Sequence, residues 1–120
     1  MELEWIKCKG SIWCELFKVD TSHRLLRRMD GVYLVWAISD GKISVLKVGC
    51  GNIASEIDKL KSDLAMKAFA NHGAFVTWAE APNSKHQGIC YHLSRSLSPK
   101  MYEIFSSKSE IDVNLPWNGS

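Results

Sequence analysis

No stretch of this chain stays apolar long enough to cross a bilayer as a helix. Its opening residues, Met1-Glu2-Leu3-Glu4-Trp5, lack the basic and apolar regions of a signal peptide, so a cytoplasmic protein is expected. The four cysteines, at positions 8, 14, 50 and 90, include no Cys-x-x-Cys pair, and without an export signal they are expected to be reduced thiols. Internal repeats, linkers and low-complexity tracts are absent as well. Residues 1–120 are therefore read as one domain, with 1–30 an N-terminal extension on a core of 31–117. The charge excess is small: +2 permits nucleic-acid binding without arguing for it. Hydrophobic residues at 46% and charged ones at 23% match an ordinary globular protein large enough to bury its own core.

The most informative stretch is residues 31–53. Two β-rich runs, Val32–Ile38 and Lys42–Val48, flank Ser39-Asp40-Gly41, and Asp-Gly between alternating apolar runs signals a hairpin. The second run is expected to break at Gly49-Cys50-Gly51, where Gly31, Gly49 and Gly51 are read as permitting a close turn. Asn52 stands at the N-cap position of a helix running to about Asp63. Ile53, Ile57, Leu60 and Leu64 recur at helical spacing and are expected to form its buried face.

Around this unit the chain reads in order. Residues 1–20 carry enough apolar surface to pack on the sheet as short strand-like or single-turn segments. The basic cluster His23–Arg28 is read as a helical turn with Leu25, Leu26 and Met29 inward, or as a phosphate-contacting patch. A short helix over Leu64–Ala70 is expected to stop at Gly73, followed by a third strand, Ala74–Ala81. A helix over Ser84–Leu97 buries Ile89, Leu93 and Leu97 and ends before Pro99. Val113, Leu115 and Trp117 form a closing segment docked on the core. The expected fold is α+β: a three-stranded antiparallel sheet flanked by helices.

Four blocks, Gly31–Trp36, Lys47–Ile53, Val76–Ala81 and Val113–Trp117, occur in order over roughly residues 13–117. In this they resemble small stand-alone bacterial proteins of the GIY-YIG nuclease superfamily. The resemblance implies a GIY-YIG-like domain and, where the site is intact, strand cleavage of DNA with one divalent metal. Such a site holds the metal on a carboxylate, steadies phosphate charge with a cation and positions water with tyrosines.

Carried over by position, the first tyrosine is Tyr33, and the second is replaced by Lys47. The helix arginine falls on Glu56, and a histidine often found one turn later falls on Leu60. The metal-binding glutamate falls on Cys90. Between Ala81 and Tyr102 there is no Asp or Glu, so a shifted carboxylate on that helix is excluded. A hard cation wants oxygen ligands, which Cys90 does not supply. Lys47 and Glu56 are expected to pair and neutralise a former phosphate pocket.

The function expected is a catalytically degenerate GIY-YIG-like binding module for a protein partner, another copy of itself or nucleic acid. The alternative is a divergent metal-dependent endonuclease. No cofactor is expected, with Mg²⁺ or Mn²⁺ belonging to the nuclease alternative alone. Nucleic acid would be met by Arg24, Arg27, Arg28, Lys47, Lys59 and Lys61. Cys50, His86 and Cys90 are read either as a partial soft-metal site or as inert thiols beside a histidine.

Overall fold

The computed structural model describes residues 1–117, so residues 118–120 of the expected domain lie outside the described part. The chain forms strand β1 (Cys14–Glu15), helix α1 (Arg24–Arg27), strands β2 (Asp30–Ser39) and β3 (Lys42–Asn52), and helices α2 (Ile53–Ser62) and α3 (Leu64–Phe69). Strand β4 (Phe75–Glu80) and helix α4 (His86–Leu97) follow, with single 3₁₀ turns at Leu16–Lys18 and Asn83–Lys85. This is an α+β fold around one antiparallel sheet of order β1-β4-β2-β3. The sheet has four strands, not the expected three. The additional one pairs only Cys14 with Val76 and Glu15 with Phe75, too short to leave a periodic signal.

The β2–β3 hairpin forms where expected. Asp40 and Gly41 both have positive φ (52° and 75°), as a two-residue type I′ loop requires, and Ser39 pairs with Lys42. Strand β3 does not break at the glycines, however. It runs through Gly49-Cys50-Gly51 to Asn52, which pairs with Asp30 and whose side chain caps α2 by accepting from the Ser55 amide at 3.1 Å. The register slips by one residue at Val35/Trp36. That bulge turns Leu46 and Lys47 to the same side of the sheet, Leu46 into the core and Lys47 beside it.

Both sheet faces are covered, which is why Val32–Trp36 is apolar without interruption. Tyr33, Val35, Val76 and Trp78 face α1, α2 and α3 through Leu26, Ile57, Leu60 and Met66. Val32, Leu34, Trp36 and Ala79 face α4 through Ile89 and Leu93. Two apolar assignments fail. Leu64 is 80% exposed, because Asp63 leaves helical conformation and caps a new helix, accepting from the Met66 amide at 2.9 Å and resetting the helical phase. Leu25 is 69% exposed, because the single turn α1 aims only Leu26 and the following Met29 inward.

The two ends of the described chain are joined. Asn114 Oδ1 accepts from the Leu3 amide at 2.6 Å, Asn114 Nδ2 donates to the Leu3 carbonyl at 2.9 Å, and Trp5 Nε1 donates to the Asn114 carbonyl. Val113, Leu115 and Trp117 pack on the core as the closing segment. Among the described residues, no helix is long and apolar enough to cross a membrane.

The expectation of four reduced thiols is corrected: Cys8 and Cys14 form a disulfide, while Cys50 and Cys90 are free. The bridge closes a tight loop, in which Gly10 and Ser11 have positive φ and Cys8 pairs with Ile12. This brings the two Cα atoms to 5.1 Å, a separation that cysteine spacing alone does not disclose.

Candidate functional site

Tyr33 and Gly49 face each other across the β2–β3 ladder. A Cβ on Gly49 would lie 2.3 Å from the Tyr33 ring and hydroxyl, so the phenol lies flat across the glycine. Gly49 is thus needed for close approach, not for a turn. The same holds for Gly31, whereas Gly51, at φ 133°, has the conformational role expected of it. The first turn of α2 then presents Glu56 to the phenol, whose hydroxyl donates to Glu56 Oε1 at 3.4 Å.

The expected Lys47–Glu56 pair does not form. Lys59, one turn further along α2, reaches Glu56 Oε2 at 3.2 Å. Lys47 instead pairs with Glu103 at 3.4 Å. Glu103 is brought there by the segment after α4, which runs along the outer edge of β3. In that segment the Lys100 amide donates to the Val45 carbonyl (3.1 Å) and the Met101 amide to Leu46 (2.8 Å). The result is a cleft of about 200 Å³ lined by Tyr33, Lys47, Glu56, Lys59, Asp63 and Glu103. Its two cations face three carboxylates, and each cation already has a partner.

Burial, followed by the charges of Glu56 and Glu103, pushes the Tyr33 hydroxyl far above the ordinary phenol range. Tyr33 therefore stays protonated at neutral pH. It donates to a carboxylate and has no capacity to act as a general base there.

Cys90 does not line this cleft. It is completely buried on the opposite face of the sheet, in the cluster that Cys50 packs against. A hydrogen bond from Cys90 lowers the Cys50 thiol below its usual range. The same bond, together with burial, pushes Cys90 well above it. His86 does not complete a soft-metal site with them, since its Nε2 is hydrogen-bonded to the Ala81 carbonyl at 2.8 Å.

The six expected nucleic-acid contacts do not form one surface. Lys47 and Lys59 sit in the cleft. Lys61, two residues on from Lys59, points away from it and donates to the Val19 carbonyl. Arg27 lies 3.9 Å from Asp58, and Arg28 lines a recess with Asp30 and Glu80, so two of the three arginines stand beside acids. Arg24 is exposed.

Among the described residues, one trio of His, Cys, Asp or Glu side chains converges closely enough to hold an ion: His92, Glu110 and Asp112. Arg95 Nη2 already reaches Glu110 Oε2 at 2.6 Å, so the trio is part of an ion-pair network. Arg95 and then His92 hold the Glu110 carboxyl below its usual range. A depressed carboxylate stabilises the fold above its unfolded-state pKa, about 4.3, and that contribution is lost as pH falls through the folded-state value. Thermal melts from pH 7 to pH 3 should show Glu110→Gln less stable than the parent near neutrality. The gap should close on acidification.

The cleft residue that sequence reasoning misses is Glu103. It stands one position beyond the acid-free stretch, in an irregular segment that no periodicity locates. No protein-family model matches the chain, and no curated protein or solved structure matches it either.

Proposed function

We propose that this chain is a GIY-YIG-like domain that has lost hydrolysis and serves as a binding module for a protein partner. The observation that carries this reading is the pairing within the cleft. Lys47 is held by Glu103 and Lys59 by Glu56, so no cation is left to receive a phosphate. An incoming phosphate would meet an excess of carboxylates at short range. The metal-carboxylate position of the family corresponds to Cys90, a buried thiol outside the cleft, and this donor does not fit a hard divalent cation. Tyr33 is fixed as a neutral donor to Glu56.

A second reading, the divergent nuclease, draws on Glu103, which gives the cleft a second carboxylate beside Glu56. Incubation with supercoiled plasmid and Mg²⁺ or Mn²⁺ separates the two. The binding-module reading expects no nicking above background, since each missing electrostatic group costs roughly 100- to 1000-fold in rate. Chelator-sensitive nicking that Glu103→Gln abolishes would establish the nuclease instead. DNA affinity measured across a salt series completes the test. Weak binding that does not change when Arg24, Arg27 and Arg28 are all replaced by Ala is expected. A large loss of affinity and salt slope in that variant would favour nucleic acid as the partner.

A further inference from the structure

A larger recess than the Tyr33 cleft lies elsewhere among the described residues. It is a groove of about 720 Å³ between the N-terminal segment and α1, on the same side of the sheet. Ile6, Val19, Leu26, Met29 and Trp78 form its apolar lining, and the exposed Leu25 stands on its wall. Lys7, Lys9 and Lys18 border it, all exposed; Lys18 is paired with Glu15 at 3.2 Å, and Lys7 lies over the Trp13 ring without an acidic partner among the described residues. The one carboxylate there, Asp20, already accepts hydrogen bonds from the Ser22 amide and hydroxyl. An apolar floor inside a basic border is the complement of apolar side chains flanked by acids.

We propose that this groove docks an acidic segment of a partner protein, which inserts one or two large apolar side chains between Leu25 and Trp78. The proposal rests on the binding-module reading and gives it a surface and a partner chemistry. The groove is large enough for anchor side chains and too small for a standard interface between folded domains, so the occupant is a short segment. Lys7 and Lys9, neither paired with an acid among the described residues, against an aspartate that is already satisfied set its charge. The lysines steer and discriminate, while the apolar floor supplies the part of the affinity that salt leaves intact.

Selection from an unbiased library of twelve-residue peptides tests this with the full chain. Enriched peptides should carry Leu, Phe, Ile or Met next to Asp or Glu. By fluorescence polarisation, an enriched peptide should bind the combined Lys7→Glu, Lys9→Glu variant at least tenfold more weakly. Leu25→Asp should lose it likewise. All three positions are exposed and none is in an ion pair among the described residues, so thermal melts of both variants should stay close to the parent's. Basic or uncharged consensus peptides, or binding that both variants retain, would overturn the proposal. If enriched peptides bind at the Tyr33 cleft, losing affinity in Lys47→Ala and not in Leu25→Asp, the groove inference fails and the binding-module reading stands. If no peptide is enriched, both fail. Binding to phosphatidylglycerol vesicles without peptide binding would assign the groove to a lipid surface and overturn the proposal as well.

Discussion

Trp36→Ala is expected to lower the stability of the fold by about 5 kcal/mol, measured by urea denaturation followed by circular dichroism. Trp36 is 1% exposed on the central strand β2. Its ring meets Trp13 edge-on at 5.4 Å and Trp117 edge-on at 5.1 Å, and stacks on Phe75 at 5.9 Å. Truncating a buried tryptophan costs about 3–5 kcal/mol, and each lost aromatic pair adds roughly 0.5–1.5 kcal/mol. Trp36 holds the N-terminal segment, β4 and the closing segment to one strand, so neighbouring groups have little freedom to fill the space. A domain of this length has roughly 6–18 kcal/mol of total stability, so the variant should still fold, but only marginally if the parent lies at the low end of that range. Trp36→Phe, which keeps a ring in place, should cost less than half as much. Equal losses from the two variants would mean that the aromatic contacts contribute little.

Gly31→Ala should be nearly as damaging, at about 3 kcal/mol or more, for the opposite reason. A Cβ at Gly31 would lie 2.1 Å from the Ala79 carbonyl oxygen and 2.9 Å from its carbon. Those atoms belong to β4, so relief requires two central strands to separate. Gly49→Ala makes a clash of similar closeness, 2.3 Å, but with the Tyr33 ring, and a side chain is able to rotate away. The pair therefore separates backbone from side-chain strain. Gly31→Ala should lose stability, whereas Gly49→Ala should lose less and displace Tyr33 from Glu56. Denaturation midpoints check the first outcome, and the NMR shifts of the Tyr33 ring check the second. Similar stability losses in both would show that Tyr33 is as immovable as the strand.

The parts of this fold legible from sequence are those with a repeating pattern or a local chemical rule. The β2–β3 hairpin, the Asn52 cap, α2, β4 and α4 all fall in that group, because alternation, Asp-Gly and capping act within a few residues. Pattern alone does not group Tyr33, Lys47 and Glu56; the resemblance to a nuclease site does, and they line one cleft, whereas Cys90, grouped with them, lies outside it. What pattern misses depends on distant or irregular segments. The two-residue β1 takes its place only by pairing with β4. Cys8 and Cys14 meet because the chain doubles back at Gly10 and Ser11. Glu103 reaches Lys47 on backbone bonds to the edge of β3, and once it does, the simpler Lys47–Glu56 pair has no reason to form.

The Leu3–Asn114 clamp also bears on the order in which the molecule assembles. The β2–β3 turn joins residues three apart, whereas the clamp joins residues 111 apart. In a simple polymer estimate, closing the longer loop costs roughly 3 kcal/mol more in chain entropy. The hairpin therefore offers an early nucleus, and the clamp has to wait until the intervening sheet and helices have shortened that loop. Reversed in time, the clamp is the last contact made and the first to open. Opening it uncovers the edge-on Trp117 contact with Trp36, so unfolding begins where the two ends of the chain meet and spreads from there into the aromatic core.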